Sequence, residues 1–557
     1  MGRLMESNCI PYTRVPKSSA FFLDYLYHFE RVAPFYSGSP FDIQSYRRAA
    51  SELEALKQDR AALVQILERQ NKGFGGAEAA FANIRRLNDP ATFAVVTGQQ
   101  VGLLSGPAFT LYKALTAVRL AQWLSEQGLP CVPIFWLATE DHDLDEVAHT
   151  AVFDRDYNLV PLTDPGHRTA PRCSVGYVKL TSEITTALER LKAVLSEAQP
   201  TSEESEASER LLQDLRTTYQ SGATWGQGFG AFMAKLFSRW GVVLLDPLDE
   251  ALHRLGARVY SQALTQAGEL RARLRERSER LIAAGYHAQV HVGEDATMLF
   301  VARDGNRIAL QEDSGTFSLD GADKIPAADL AALVKNRPLD FSPNALLRPI
   351  VQDLLLPTVS YVAGPSELAY LGQSQAVYAQ FGRLLPVVFP RAGFTLVDRH
   401  TQKLLEKYRL NVADVWEGEE HLNRKIVAAA FAEGWSERLE ESERDLARSL
   451  ERLRNDIEKL DPTLLDTLKH TEEKMKYQMD RLRGKITRAA LGRSELLARH
   501  AQALLRFLTP RKELQEREVS GAYFLGRAGY ELLDHLLAQI QTRCFDHQVV
   551  QIESSGH

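Results

Sequence analysis

Cysteine is scarce in this sequence, and the cysteines present are far apart. The chain has 4 cysteines in 557 residues, and none belongs to a CxxC pair. A disulfide framework and a cysteine zinc site both need clustered cysteines, so we expect neither. Cys131 begins an apolar segment and is interpreted as a small core residue rather than a nucleophile. If the protein handles thiols, we expect the thiol to belong to a substrate.

Long apolar runs and an excess of one charge are also missing. No uninterrupted apolar run approaches the roughly 18 residues that a membrane span requires. The 66 Lys and Arg residues are matched by 72 Asp and Glu residues, which leaves no basic field for nucleic acid. The N-terminal residues carry charges and a proline where a signal peptide has an apolar core. We therefore expect a cytoplasmic protein with no nucleic-acid or membrane partner.

A strand–helix–strand unit is the clearest pattern that is present. The apolar residues 93–96 and 132–138 have the length of buried strands. Between them, Gly106-Pro107 begins a helical pattern that ends near Gly128 and Pro130. Two strands joined by such a crossover are parallel, so their carboxyl ends share one edge of the sheet. Open α/β sheets bind ligands at that edge.

Three more apolar runs extend this pattern, at residues 241–245, 358–363 and 386–391. Together the five runs predict an α/β fold with a Rossmann-like, mostly parallel sheet and helices on both faces. Long helices are predicted at residues 43–70 and 250–284. Short strands at residues 289–292, 298–302 and 307–310 predict a small antiparallel insert.

A leucine-rich heptad pattern marks a change of character after residue 435. Two apolar series with 3- and 4-residue spacing are separated by Asp461-Pro462, which predicts an antiparallel coiled-coil hairpin. The series are Leu439, Leu446, Leu450, Leu453, Ile457, Leu460 and Leu464, then Met475, Met479, Leu482 and Ile486. We assign residues 1–400 to the core with inserts at about 151–235 and 285–335, residues 401–508 to the helical arm, and residues 509–557 to a C-terminal helical segment that returns to the core.

The glycine-rich loop from Gly98 to Gly106 is the first candidate site. It lacks both the GxGxxG pattern and the Gly-Lys-Ser/Thr ending of a phosphate loop. Its glycines and a helix beginning at Pro107 still favour a carboxylate or phosphate ligand, with Thr110 and Lys113 on one face of that helix. The alternative is that the glycines serve a tight turn and Lys113 reaches solvent.

The charged cluster Glu140-Asp141-His142-Asp143 is the second candidate. Carboxylates crowded around an imidazole suit proton transfer near neutral pH. The same groups could hold a divalent metal together with Asp246, or Asp141 or Asp143 could cap a helix running through Val147. Catalysis, metal binding and capping all remain open from the spacing.

Further along the chain, Arg348, Glu367, Tyr370, Gln373 and Arg391 are candidate substrate contacts. Glu367, Tyr370 and Gln373 have i, i+3, i+6 spacing and could share one helix face. Each of these residues taken alone also fits a structural role.

Several of these motifs, taken in order, resemble the cysteine ligase family of bacillithiol biosynthesis. The resemblance is carried by Val96-Thr97-Gly98-Gln99-Gln100-Val101-Gly102-Leu103, Gly106-Pro107 with Thr110 and Lys113, Glu140-Asp141-His142-Asp143, Asn344 with Arg348, Gly364 with Glu367 and Tyr370, and Pro390-Arg391. It implies a Rossmann-like core with a helical arm used for homodimerisation. It also implies an amide ligase that adds cysteine to glucosaminyl malate, with ATP or another acyl activator, since amide formation in water requires an activated carboxyl.

The hypothesis for the site combines the residue motifs with the family resemblance. Gly98, Gln99, Gln100, Gly102, Gly106, Thr110 and Lys113 bind an anionic group, and Glu140, Asp141, His142 and Asp143 remove a proton from the substrate amine. Arg348 or Arg391 pairs with a second carboxylate, while Asn344, Gly364, Glu367, Tyr370 and Gln373 complete the substrate site. Two alternatives are a metal-dependent hydrolase or transferase built on Glu140 to Asp143, and a coiled-coil scaffold with an inert α/β domain.

Overall fold

The computed structural model describes residues 8–56, 58–164, 173–197, 202–319, 323–430 and 435–552. Its central sheet has five strands, all parallel, and every residue of these strands except Gln99 is buried. Parallel strands covered on both faces need continuous apolar sequence, which is why the five runs were recognisable. The strands lie in the order Val387–Pro390, Thr358–Ala363, Phe93–Gln99, Cys131–Leu137, Val243–Leu245.

Helices cover both faces of the central sheet, as predicted. On one face Tyr46, Val95 and Leu120 share an apolar cluster, and on the other Leu67 packs in the cluster that contains Val96. The crossover helix Phe109–Glu126 is buried along most of its length, so its sequence is apolar nearly all round. The remaining helices at the sheet are Ala20–Tyr27, Phe29–Val32, Ile43–Glu54, Arg60–Gly73, Glu78–Arg86, Trp225–Leu236, Glu250–Thr265, Arg348–Leu355 and Pro365–Tyr378.

Two predicted long helices are each divided in two. The predicted helix at residues 43–70 is wrong as a single element, because Asp59 accepts a hydrogen bond from the Ala62 N–H and begins a second helix. The predicted helix at residues 250–284 breaks at Gln266 into Glu250–Thr265 and Ala267–Ala283.

A second sheet of five antiparallel strands packs beside the carboxyl edge of the first. It contains the two strands predicted at residues 298–302 and 307–310. The strand predicted at residues 289–292 is wrong, because the Val290 N–H and carbonyl are both bonded to the side chain of Gln373 instead of to a strand. The order is Asp323–Ile325, Thr316–Leu319, Asn306–Asp313, Ala296–Arg303, Phe341–Pro343, and the helix Ala327–Asn336 precedes its last strand.

The segment between the strands Cys131–Leu137 and Val243–Leu245 forms a small layer of its own. It begins with the short helix Leu144–Val147 and an antiparallel hairpin of His149–Phe153 with Leu159–Thr163. Two helices follow, Ile184–Glu197 and Ser202–Thr218.

The helical arm is the predicted antiparallel hairpin. Its two helices, Trp435–Leu460 and Leu465–Gly492, are joined at Asp461, whose carboxylate accepts the Thr463 N–H. Ion pairs Glu443–Arg483 and Arg454–Glu472 link the two helices. The later residue of the first helix pairs with the earlier residue of the second, so the helices are antiparallel. The helices around the base of the arm are Arg399–Lys407, Val412–Trp416, Glu419–Ala430 and Glu495–Leu508. The helices Gly521–Ala528 and Glu531–Gln539 pack against the crossover helix, and Gln515–Glu518 lies beside residues 394–397.

A three-stranded sheet brings the two ends of the described chain together. The strand Asn8–Ile10 pairs antiparallel with His547–Gln551, which pairs in parallel with Phe394–Val397. Across the described ranges, none of the helices has both the length and the apolar character needed to cross a membrane.

Candidate functional site

A cavity of about 670 Å³ opens where the central sheet meets the antiparallel sheet. The carboxyl ends of the central strands contribute Gly98 and Gly364, and the antiparallel sheet contributes Arg307 and Pro343. This is the edge at which open α/β sheets bind ligands. Twelve predicted site residues line it: Gly98, Gln99, Gln100, Lys113, Glu140, Asp141, Asn344, Arg348, Gly364, Glu367, Tyr370 and Arg391.

Lys113 lies in the cavity wall rather than in solvent. Its side chain is 3% exposed, and it donates to the Gly98 carbonyl and to Gln99 Oε1, both at 2.9 Å, and forms an ion pair with Glu367. Burial lowers the pKa of Lys113, although the Glu367 carboxylate acts in the opposite direction. An ammonium has three donors, and all three are used here. Lys113 therefore contributes positive charge and holds the loop in place.

The helix end at Pro107 differs from the prediction. The helix begins at Phe109, and the Ala108 N–H donates to the Val519 carbonyl at 2.8 Å. The Thr110 N–H donates to Pro107, and Thr110 itself is fully buried. The C-terminal segment therefore takes up the Ala108 N–H at this helix end, and Thr110 is not part of the cavity lining.

The glycines of the loop serve close packing. A side chain at Gly98 would lie 2.9 Å from the Trp136 carbonyl, and one at Gly102 would lie 2.9 Å from the Cα of Gly106. Gly106 has a φ of 67°, which favours glycine. Gly102 and Gly106 therefore form the tight turn that was the alternative prediction, and only Gly98 faces the cavity.

Arg348 presents a cation to the cavity without a carboxylate partner. It donates to Gln352 Oε1 at 2.9 Å and to the Tyr361 hydroxyl at 3.4 Å, and its guanidinium lies 5.8 Å from the Trp136 ring. Within the described chain, no carboxylate lies at ion-pair distance from it. Burial opposes its charge, but the neighbouring Tyr361 and Tyr370 raise the pKa of Arg348 overall. It stays protonated and can accept a ligand anion.

Arg391, the other predicted anchor, is already paired. It forms an ion pair of 2.5 Å with Glu516, and the two side chains are 5% and 1% exposed. Glu516 also accepts the Phe394 N–H at 2.9 Å. Burial opposes ionisation of Glu516, but the Arg391 guanidinium lowers the pKa of that carboxyl. Arg391 therefore ties the sheet edge to the C-terminal segment.

A second part of the cavity lining, around Gln100, is acidic. Gln100 Nε2 donates to Asp141 Oδ2 at 2.7 Å and to Glu146 Oε2 at 2.9 Å, which holds two carboxylates close together. Partial burial raises the pKa of Glu146, and Asp143 and Asp141 add to this effect while the Gln100 bond opposes it. Glu140 lies on the same side, 7% exposed, with Oε1 3.3 Å from His253 Nε2.

His142 and Asp143 are placed away from the cavity lining. Arg307 Nη1 lies 3.0 Å from His142 Nδ1, and Asp141 Oδ1 lies 3.5 Å from the same nitrogen. Asp143 caps the helix Leu144–Val147 by accepting the Glu146 N–H at 3.0 Å. The capping prediction for Asp143 is confirmed.

The remaining predicted residues position the lining. Gln373 is fully buried and bonds both backbone groups of Val290, which lines the cavity. Asn344 Oδ1 accepts the N–H groups of Leu346 and Leu347 at the start of the helix that carries Arg348. Glu367 accepts from the Gly364 N–H at 2.8 Å and from the Tyr361 hydroxyl at 2.9 Å.

Sequence reasoning missed several lining residues. Arg307 donates to Ser342, His142 and the Pro343 carbonyl, and stacks 3.8 Å over the Phe300 ring. Arg517 lies at the basic end, and no carboxylate of the described residues is within ion-pair distance of it. Residues 514–517, which include Arg517, also fit the family resemblance, and this fit was the available signal. Trp136 and Tyr361 also line the cavity, and so does Glu146, which the sequence places in the acidic cluster that begins at Glu140.

The candidate carboxylates do not converge as metal ligands. Glu140 faces His253, Asp141 accepts from Gln100 and the His142 N–H, and Asp143 caps a helix. Asp246, the remote partner proposed for them, accepts from Thr139 and Leu248. In the ranges that the structure covers, the one group with metal-ligand spacing is Asp414, Glu417 and His421, where the Lys425 ammonium lies 2.6 Å from Asp414.

Comparison with known proteins covers nearly the whole chain. Residues 5–392 match the family model "Bacillithiol biosynthesis BshC, N-terminal Rossmann-like domain", and residues 394–552 match "Bacillithiol biosynthesis BshC, C-terminal coiled-coil domain". Relatives named "Putative cysteine ligase BshC" occur in Koribacter versatilis and Solibacter usitatus, each 35% identical over 549 residues, 98% of this chain and 100% of the relative. The protein of that name from Bacillus velezensis is 28% identical over 550 residues, 96% of this chain and 98% of the relative. The chain therefore belongs to the BshC family of bacillithiol biosynthesis.

Proposed function

We propose that this chain is an amide ligase that joins the carboxyl of cysteine to the amine of glucosaminyl malate, as the last step of bacillithiol formation. The names of the full-length relatives support the cysteine ligase activity. The second substrate and the bond come from the chemistry that such a product requires. The cavity at the sheet edge is the proposed site of the reaction.

The observation that carries the proposal is the division of charge within one cavity. The lining contains the carboxylates of Glu140, Asp141 and Glu146, with Arg307 beside the first two, and it also contains the guanidinium groups of Arg348 and Arg517. Cysteine carries an ammonium and a carboxylate, while glucosaminyl malate carries an ammonium and two carboxylates. Both substrates match a cavity that is negative at one end and positive at the other.

Arg348 is the proposed anchor for a malate carboxylate. A guanidinium binds a carboxylate through two parallel N–H bonds, and such charge-assisted bonds are stronger than neutral ones. Arg391 is a poorer choice, because Glu516 already takes that role at 2.5 Å. Lys113 has its three donors engaged, so it supports this end by charge alone.

Glu140 is the proposed base at the acidic end. The cysteine carboxyl enters as an activated acyl group, with ATP or another acyl activator as the co-reactant. The amine nitrogen attacks the acyl carbon to form the C–N bond, and the leaving group departs with the electron pair of the bond that breaks. The proton released from nitrogen passes to the Glu140 carboxylate.

A homodimer through the arm is part of the proposal. Several apolar side chains of the arm are exposed in the single chain, and helical hairpins with such a face pair with a partner. These are Leu453, Leu460, Leu464, Met475 and Leu482, exposed by 49%, 81%, 41%, 36% and 46%.

The test uses Arg348→Met with Arg271→Met as the matched control. Arg271 is also half-buried but pairs with Glu312 at 3.0 Å outside the cavity. Losing a charge-assisted carboxylate contact costs about 2 kcal/mol, so the KM for glucosaminyl malate should rise about 30-fold in Arg348→Met. The control should keep the wild-type KM.

Steady-state kinetics of purified protein, with detection of the cysteinyl product by mass spectrometry, measures both constants. A wild-type KM in Arg348→Met removes Arg348 as the anchor. Absence of product from the wild-type chain with either an acyl donor or ATP contradicts the ligase proposal itself.

A further inference from the structure

His253 lies beside Glu140 but behind the cavity wall. It belongs to the first turn of the helix Glu250–Thr265 and is 3% exposed. Its Nε2 lies 3.3 Å from Glu140 Oε1, and its Nδ1 lies 3.1 Å from the Pro338 carbonyl oxygen. The Tyr260 hydroxyl is a weaker neighbour, 3.4 Å from Nδ1. Both ring nitrogens therefore face oxygen acceptors.

The hydrogen-bond partners of His253 determine how many protons His253 and Glu140 hold together. A carbonyl oxygen cannot donate, so the Nδ1 of His253 must carry the proton of its bond to Pro338. In a neutral ring Nε2 would then be unprotonated. Its lone pair would face a lone pair of the Glu140 carboxylate in a buried site, and the two would repel each other. Burial makes such an unsatisfied contact costly. One further proton must lie between His253 and Glu140.

We infer that His253 is a positioning residue that shares one proton with Glu140, so that the two side chains act as one acid–base unit at the acidic end of the cavity. The inference rests on the proposed amide ligase function, in which Glu140 is the base. His253 does not touch the substrate. It acts through Glu140, by fixing the orientation of Oε1 and by stabilising the ionised carboxylate.

The charged groups around the pair favour the imidazolium–carboxylate form. Burial opposes protonation of the ring, but the Glu140 carboxylate raises the pKa of His253 overall. The other titratable groups that interact with Glu140 come from four different elements: Arg307 of the antiparallel sheet, Asp246 after the strand Val243–Leu245, Tyr260 on the helix of His253, and Tyr177. Arg307 attracts the Glu140 carboxylate, whereas the Asp246 carboxylate repels it.

This arrangement places the imidazole ring directly beside the carboxylate that accepts the amine proton. A carboxylate beside an imidazolium loses its proton at lower pH than a buried carboxylate beside a neutral group. The proton of the attacking amine passes to Glu140, and the unit then releases it to solvent when the product leaves. Without the imidazolium, the ionised Glu140 loses a compensating charge 3.3 Å away, and only the ionised carboxylate can accept the amine proton.

The first experiment is a pH profile of kcat/KM for wild type, His253→Gln and Tyr260→Phe. Gln can still donate a hydrogen bond to Glu140 from the position of Nε2 but carries no charge. We expect the acidic limb to move upward by about one pH unit or more in His253→Gln. Tyr260→Phe removes only the weak contact to Nδ1 and should keep the wild-type limb. An unshifted limb in His253→Gln overturns the inference.

The second experiment needs no reaction. Protein labelled with ¹⁵N-histidine is titrated without substrate, and the His253 signals are identified from their absence in His253→Gln. The doubly protonated ring should persist to higher pH in wild type than in Glu140→Gln. Equal titration in the two proteins overturns the shared proton. If the titrations differ but no protein forms product, the proposed function fails while the proton-sharing pair stands.

Discussion

Replacing Arg391 with methionine should destabilise the protein through the carboxylate that the substitution leaves behind. Arg391 and Glu516 are 5% and 1% exposed, and they join positions 125 residues apart in the chain. Methionine keeps much of the side-chain volume but removes the charge. Glu516 then keeps its hydrogen bond from the Phe394 N–H, at 2.9 Å.

The size of the effect follows from the burial of the pair. Removing one partner of a buried ion pair costs about 3–5 kcal/mol, because the other charge is left without compensation. Glu516→Gln in the same chain removes that charge, so the double variant should recover about half of the loss or more. The single Glu516→Gln variant leaves Arg391 unpaired and should also be destabilised.

Urea unfolding followed by tryptophan fluorescence measures the four proteins of this cycle. The pH dependence gives a second readout. In wild type the folded-state pKa of Glu516 is depressed, so its contribution to stability is present above the unfolded value of 4.5 and is lost as the pH falls through the folded value. The deficit of Arg391→Met should therefore shrink in acid. An Arg391→Met midpoint equal to wild type at neutral pH, or a double variant no better than the single ones, would refute this reasoning.

Two further predictions concern acid stability and assembly. His547 is fully buried, and burial lowers its pKa from 6.5 to about 4. Between pH 7 and pH 5 this histidine therefore takes up a proton in the unfolded chain but not in the folded one. The free energy of unfolding should fall by about 2 kcal/mol over that range. His547→Gln, which can keep the contact of Nε2 with Thr395 at 2.9 Å, should lose that slope in urea unfolding at the two pH values. Replacing Leu453 and Leu460 together by glutamate should convert a dimer into a monomer in light scattering, since both side chains are exposed on the arm.

Each of these has a clear opposite outcome. An identical pH slope in wild type and His547→Gln would mean that another group controls acid stability. For the arm, Leu468→Glu is an unsuitable control because Leu468 is 7% exposed, whereas Lys459→Glu changes charge at the surface without touching the apolar face. A double variant that stays as large as wild type contradicts pairing through this face.

The central sheet could be predicted because each strand lies in a largely apolar run that is followed by a glycine or polar residue. A strand that is buried on both faces needs apolar side chains on both faces, so residues such as Val96 and Ile134 indicate a buried parallel strand from the sequence alone. Helix boundaries were harder, because the cap at Asp59 is a single hydrogen bond within a sequence that is periodic on both sides. The same holds for residues 289–292, where a distant glutamine amide replaces strand pairing.

The candidate site was predicted in its location but not in its partnerships. Residue type identifies Arg348 and Arg391 equally well as anchors, and only the fold shows that Glu516 reaches one of them. Arg307 reaches His142 across 165 positions, and His253 reaches Glu140 from a helix that carries no site motif. Such pairings depend on tertiary contacts, which leave no periodic or local trace in the sequence.

The three-stranded sheet of the chain ends has a consequence for synthesis. The strand Asn8–Ile10 cannot pair until its partner strand His547–Gln551 has been synthesised. Likewise the Ala108 N–H cannot form its hydrogen bond until Val519 has been synthesised. Glu516, which neutralises Arg391 at the cavity, is equally late. A ribosome must therefore deliver almost the whole chain before the cavity wall is complete. Nascent chains stopped near residue 392 should hold a sheet whose carboxyl edge is still open, and the order of translation becomes the order in which the site is assembled.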